Sequence, residues 1–394
     1  MLNVQQQFVK DKLDLIMKKQ SGGICLISGV GGVGKTYTIS IILQESGIPP
    51  EEICVCAPTD KALEVVSQNL EFYPAKTIHS LLGYYPSSDH NGKQWLNAIL
   101  DKEVPYRIVV LDEAYCTPNI ILQAMWERRD ILWICLGDGG QLKAIGDNSS
   151  LLDEMELLFE YELTIQERSR GTCFPIIQEI RDKGSLFIPE FTKSNVFLEK
   201  FYTALEEGKD ATYLAFHNKV INEVARKARL RLYEQAEDIP IVGEKVRVKM
   251  LTNDQGEKII HSNAIVEVVD VDQFGMTVMY RNNWVYCPFL RYEGFHTKPQ
   301  YEGHLSEVQI AYNIAKDKTG KTKKESARDW NKYYNIVNSF VRWSFPNVST
   351  VHSYQGSTTD LAFINWADLA FCRTDPNIQY SAASRARDYV YFCK

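Results

Sequence analysis

The chain has 394 residues, of which 45% are hydrophobic and 24% charged, and its formal net charge is −6. That length suits several domains, and the balance excludes a disordered or fibrous chain. No apolar run approaches the roughly 18 residues of a membrane span, and a net acidic chain does not coat nucleic acid by bulk charge, although a local positive groove is still allowed.

The first residues, MLNVQQQFVKDKLDLIMKKQ, space their apolar side chains at helical intervals. They lack the uninterrupted apolar stretch of a signal peptide, so the expectation is a helix of a cytoplasmic protein. Nine cysteines are scattered, and no pair has C-x-x-C spacing. Cys25, Cys54, Cys56 and Cys135 sit in apolar, strand-like runs, which reads as buried reduced thiols.

Next comes ICLISGVGGVGKTYTISIILQ, an apolar run, a glycine-rich loop and a helical pattern. This is the context a phosphate-binding loop requires. Gly29, Gly31, Gly32 and Gly34, with Val33 among them, let the backbone curl so that its N–H groups face one phosphate chain. The following helix adds its positive N-terminal end. Lys35 would reach the β- and γ-phosphates, and Thr36 would ligate Mg²⁺.

Such a loop needs a carboxylate for the metal, and VPYRIVVLDEAY (104–115) supplies an apolar strand ending in Asp112 and Glu113. Asp112 would hold Mg²⁺ through water, and Glu113 would orient or deprotonate the attacking water. A third apolar run, in ILWICLGDGGQLKAIG (131–146), ends at Asp138, with Gln141 placed to sense a γ-phosphate. Three strands ending at one edge fit the ligand rule for open α/β sheets. These features read as an ATPase or a GTPase, and the guanine-reading N-K-x-D pattern a GTPase uses is not found: Asn218-Lys219 has no Asp at the required place.

Residues 84–105, YYPSSDHNGKQWLNAILDKEVP, break the strand–helix rhythm, and Asn91-Gly92 signals a hairpin turn. FHNKVINEVARKARLRLYEQ reads as a strand end and a basic amphipathic helix, whose charge run suits a solvated face better than a phosphate track. Residues 239–292 alternate β-branched and aromatic residues, as short strands of a small barrel do. Residues 303–343 turn helical around a basic loop, KDKTGKTKK (316–324).

In motif order the chain resembles a superfamily 1 helicase, over nearly its full length. Gln6 in LNVQQ resembles the adenine-reading glutamine, with Gln5 as the alternative register. GVGGVGKT, APTDKA (57–62), TIHSLL (77–82), VVLDEA and GDGGQLKAIG follow in order. ELTIQERSR (162–170), STVHSYQGSTTD (349–360) and QYSAASRARD (379–388) complete the set. TIHS, the ELT…RS segment and SRAR are most similar to the RecD-like branch, phage members included.

The resemblance implies an α/β chain with two RecA-like P-loop NTPase domains. The first spans 1–150 and carries a β-hairpin pin at 84–105; the second joins 151–235 to 346–394. An SH3-like β-barrel with a helical part, 236–345, is inserted in the second. It implies arginine fingers at Arg168 and Arg385, brought from another domain to the phosphates held by Lys35. It puts Pro58, Thr59, Lys61, Thr77, His79, Trp95, Asn218, Thr350 and His352 along the nucleic acid. Trp95, Tyr84 or Tyr85 either stacks on a terminal base pair or packs the hairpin. Two positions depart from the pattern. Asp60 is an acid that would repel a nearby phosphate, so it is expected to point away from the strand, and Ser353-Tyr354 after His352 removes a cation from the track.

The implied activity is ATP- and Mg²⁺-dependent 5′→3′ DNA unwinding by a monomer. Its implied partners are single-stranded DNA, the DNA fork and replication or recombination proteins, in the host cytoplasm if the chain is phage-encoded. The rival readings are a viral-type superfamily 1 RNA helicase and an ATP-gated single-strand clamp that unwinds nothing.

Overall fold

The computed structural model describes residues 2–88, 94–98, 102–144, 147, 149–167, 173–184, 187–234, 239–249, 251–253, 257–261, 263–272, 274–289, 308–317, 323–372 and 377–394; side chains at 85–88, 94–98, 323, 324, 326, 327 and 331 are outside the description. The contacts divide the chain into two compact units. One comprises Met1–Gly83, Leu100–Glu234 and Asn347–Lys394; the other comprises Tyr84–Ile99 and Gln235–Pro346.

In the first unit the apolar runs become strands covered on both faces, as parallel sheets require. Six strands pair in the order Ala75–Thr77, Ile53–Ala57, Ile108–Leu111, Leu132–Gly137, Gly23–Ser28 and Phe159–Glu162, all parallel. The last of these lies beyond residue 150, where the sequence reading ends the first motor domain. Its alternating FEYE pattern, half-buried then exposed, carries no apolar run to announce it. A second sheet pairs Val348–Thr350, Ala211–Ala215, Thr359–Asn365 and Ala386–Cys393, again all parallel. One buried apolar cluster runs through both sheets, from Ile27 and Val110 to Leu214 and Ile364.

The second unit holds a five-stranded antiparallel sheet in the order Asn283–Pro288, Gly275–Tyr280, Ala264–Val271, Lys245–Val248 and Trp343–Ser344. Along Ala264–Val271 burial alternates with the period of a strand covered on one face. Val246, Val266, Val268, Met276 and Val278 fill its core. Tyr312, from the helical stretch 308–316, meets Trp330 edge to ring and Tyr333 at a tilt, both on the helix Lys323–Asn338. The hairpin Tyr84–Ser88 with Gln94–Ala98 is antiparallel and sets Trp95 opposite Ser87. The Asn91-Gly92 turn and the loop segment 318–322 lie outside the described residues.

The helix Val4–Lys19 starts at a reciprocal cap. The Asn3 side chain accepts from the Gln6 N–H at 2.9 Å, and the Gln6 side chain accepts from the Asn3 N–H at 3.1 Å. Asn3 Nδ2 also donates to Glu167 Oε1 at 2.5 Å. Asn3→Ala is expected to lower stability by about 1 kcal/mol, read as a lower urea midpoint at unchanged slope, with Asn3→Ser close to the parent.

Candidate functional site

The strand Gly23–Ser28 runs into the glycine loop, and the helix Lys35–Glu45 leaves it. At the junction Gly34 has φ +81°, in the left-handed region, and a Cβ there would stand 2.6 Å from Gln6 Nε2. Only glycine satisfies both demands. The Lys35 ammonium lies against the loop, donating to the carbonyls of Gly29 at 2.6 Å and Val30 at 3.1 Å. Gly29 and Val33 brace the loop from behind. The Gly29 N–H donates to the Gly137 carbonyl at 3.1 Å, and Gln6 Nε2 donates to the Val33 carbonyl at 3.2 Å. Gly31, Gly32, Gly34, Lys35 and Thr36 border a cleft of about 520 Å³.

Asp112 and Glu113 follow the strand Ile108–Leu111 directly and face the same cleft. Thr36 Oγ1 donates to Asp112 Oδ2 at 3.1 Å, so the expected metal pair is already adjacent. The other Asp112 oxygen accepts from the Glu113 N–H at 2.8 Å. Burial raises the carboxyl of Asp112 above its ordinary range, and Lys35 opposes the shift. Burial raises Glu113 too; there Arg385 opposes it and Asp112 adds to it. Glu113 sits at φ 53°, ψ 41°, a left-handed conformation that costs an L-residue on the order of 1 kcal/mol. Strain of this kind gathers where a side chain must be aimed.

The cleft's other wall comes from elements of the second sheet: Gly356, Thr358, Ser384 and Arg385. Arg385 is 4% exposed. Its Nε donates to the Ser381 carbonyl at 3.1 Å, and its Nη2 donates to Gln141 Oε1. Gln141 Nε2 donates in turn to Asp138 Oδ2 at 3.3 Å. The structure thus joins Lys35, Thr36, Asp112, Glu113, Gln141 and Arg385 around one space. Arg387, two residues on, is paired instead with Asp210 and Asp360. Arg168 lies outside the described residues.

The two N-terminal glutamines separate. Gln6 is 1% exposed and borders the cleft. Gln5 fastens the helix to the ELT segment, accepting from the N–H groups of Thr164 and Ile165 and donating to Thr164 Oγ1 at 2.8 Å. Tyr37, Val65, Asn69 and Glu167 also border the cleft and had no distinct sequence signal. Val65 and Asn69, four apart on the helix Asp60–Asn69, share its face.

The strand-facing candidates gather at the carboxyl ends of both sheets. Thr59 and Thr77 cap helices, accepting from the N–H groups of Ala62 and Ser80, each at 3.2 Å. Lys61 is paired with Glu64 at 3.1 Å, and Pro58 is buried. Burial lowers the pKa of His79, which favours its neutral imidazole, and Asp60 opposes the shift. Asn218 is exposed at the start of the helix Asn218–Tyr233, and His352 is half-buried after the strand Val348–Thr350. The Thr350 hydroxyl lies 2.9 Å from that of Ser353, inside its own turn. The side chain of Trp95 is outside the description.

His217, next to Asn218 in the chain, is held by contacts that no motif marks. Asp368 accepts from the His217 ring at 2.7 Å and from the N–H groups of Phe216 and His217, which fixes the imidazole against Phe371, 68% exposed. In the basic helix, Arg231 pairs with Glu199 and Glu206, Lys227 pairs with Glu223, and Arg229 is buried.

Comparison with known proteins agrees with this architecture. Residues 14–147 match the family described as the AAA domain. Over 97% of its length the chain is 22% identical to the ATP-dependent DNA helicase Dda of Enterobacteria phage T4, covering 98% of that protein. Over 206 residues, 45% of this chain and 40% of the relative, it is 28% identical to an uncharacterised protein of Acanthamoeba polyphaga mimivirus. Among solved structures it is similar to a Pif1 helicase studied at forked duplex DNA, with a TM-score of 0.58 and 15% identity, over 100% of this chain and 92% of that one. It is similar also to the Bacteroides Pif1 helicase in complex with ADP-AlF3 and single-stranded DNA, with a TM-score of 0.57 and 15% identity over the same shares. The chain is thus similar to Dda over nearly its whole length and shares the fold of the Pif1 structures, with its two RecA-like sheets.

Proposed function

We propose that the chain is an ATP-dependent DNA helicase that moves 5′→3′ along single-stranded DNA and separates duplex ahead of it. The carrying observation is the shared cleft: the phosphate loop and two acids come from the first sheet, and a buried arginine comes from the second. The resemblance of TIHS and SRAR to the RecD-like branch supports the polarity. The likeness to Dda, to a Pif1 helicase in complex with single-stranded DNA and to one studied for unwinding at forked duplex DNA supports the substrate.

In this reading the N–H groups around Gly31–Gly34 and the Lys35 ammonium hold the phosphates, and Gln6 borders the base. The donors suit Mg²⁺, which takes one or two protein oxygens and fills its octahedron from phosphate and water. Thr36 Oγ1 and Asp112 Oδ2, 3.1 Å apart, would hold it. Among the described residues no three His, Cys, Asp or Glu side chains form a cage of their own. Bound there, Mg²⁺ neutralises charge developing on the phosphates. Glu113 orients the water and accepts its proton. Arg385 counters charge on the transferred group, with Arg168 as the second finger.

Because the cleft's walls belong to two sheets, hydrolysis there changes the separation of the sheets. Thr59, Lys61, Thr77 and His79 grip the strand from one, and Asn218, Thr350 and His352 from the other; Trp95, Tyr84 or Tyr85 of the hairpin meets the fork. The chain works as a monomer in the cytoplasm. Among the described residues no helix is long and apolar enough to cross a membrane.

The test is unwinding of two labelled duplexes, one with a 5′ single-stranded tail and one with a 3′ tail, with ATP and Mg²⁺. Opening of the 5′-tailed duplex alone is expected. Opening of the 3′-tailed one alone overturns the polarity. Hydrolysis stimulated by single strands with neither duplex opened overturns unwinding. Arg385→Ala is expected to lower turnover by about a hundredfold or more, with ATP binding largely retained in a fluorescent-nucleotide titration.

A further inference from the structure

Within the helicase reading, we propose that Tyr380 is a positioning residue for hydrolysis: its hydroxyl fixes Asp138, which orients Gln141, which holds the Arg385 guanidinium at the cleft.

The contacts run from residue to residue without a gap. Tyr380 OH donates to Asp138 Oδ2 at 2.6 Å, with the two residues 3% and 2% exposed. Asp138 Oδ1 accepts from the Gly140 N–H at 3.1 Å, and Oδ2 also accepts from Gln141 Nε2 at 3.3 Å. Three donors, the Tyr380 hydroxyl, the Gly140 N–H and the Gln141 NH₂ group, converge on the Asp138 oxygens, so the carboxyl takes the NH₂ end of the Gln141 amide. That leaves the amide oxygen toward Arg385, which donates to it. Burial and the Asp138 charge push the Tyr380 phenol up, so it stays a protonated donor.

The same surfaces are docked by a second bond. The Leu142 N–H donates to Ser381 Oγ at 2.7 Å. Tyr380 and Ser381 belong to the helix Ile378–Ala383, which precedes a strand of the second sheet; Asp138–Leu142 follows a strand of the first. Each bond therefore joins the two motor halves. The fit around the ring is close, since a Cβ on Gly140 would stand 2.9 Å from Tyr380 Cε1. Phenylalanine would fill that space equally well, and the hydroxyl adds only the bond to Asp138. Neither Tyr380 nor Asp138 borders the cleft itself. Tyr380 acts through Arg385.

The experiment is steady-state ATP hydrolysis by the full chain with saturating oligo(dT), together with thermal unfolding. Stimulated turnover by the parent chain checks the helicase reading, and it is read first. For Tyr380→Phe the expected result is a fall of about tenfold in kcat, with KM for ATP within about twofold of the parent. Asp138→Asn is expected to lower kcat alike, and the double variant to be no worse than either single one. A Tyr380→Phe chain with parental kcat and a lowered melting temperature overturns the proposal in favour of packing alone. Losses that multiply in the double variant overturn it too. If Asp138→Asn does not fold, the split between kcat and KM in Tyr380→Phe decides.

Discussion

A guanidinium can be taken out of water only when its donors are answered, and much of the motor unit is arranged around that demand at Arg385. Desolvating an ion costs several kcal/mol, and removing one partner leaves the other stranded. Here the cation has the Ser381 carbonyl along its own helix end, the Gln141 amide from the opposite sheet, and the Glu113 carboxylate as its electrostatic counterpart. Gln141 thus has a structural reason to be an amide rather than an apolar residue. The same demand explains why the turn after Leu132–Gly137 is docked on the helix Ile378–Ala383 rather than left to solvent. Phosphate chemistry placed in this cleft acts on a polar, hydrogen-bonded interface between two sheets, and such interfaces switch between discrete arrangements rather than deforming smoothly.

What could be read from the sequence was local. Apolar runs ending in glycine or aspartate mark the central strands and the loop because burial on both faces and a tight phosphate turn leave signatures within a dozen residues. The inserted unit's strands show through their period of two. The edge strand Phe159–Glu162 escaped notice because half its residues face solvent. The partner of Tyr380 lies 242 residues away, and nothing near either residue names the other. The hydroxyls of Thr59, Thr77 and Thr350 illustrate a different ambiguity. A threonine at a strand end suits a phosphate contact and a helix cap or turn equally well, and in the structure each hydroxyl is engaged in its own cap or turn. The glutamine pair resolves through helix geometry. Neighbours on a helix point about 100° apart, so Gln6 turns inward where Gln5 reaches the ELT segment.

The insertion has an effect that depends on chain connectivity alone. The neighbouring strands Ala211–Ala215 and Val348–Thr350 are separated in sequence by residues 216–347, a long loop to close before they can pair. Inside the insertion, however, Arg247 is paired with Ser344 and Val248 with Trp343. Once that ladder exists, the span to be closed is roughly fourfold shorter, which lowers the entropic cost by about 1 kcal/mol. The insertion thus acts as a clasp on the motor's second sheet. Melting it would return that entropy to the unfolded chain and loosen a sheet whose own contacts were untouched.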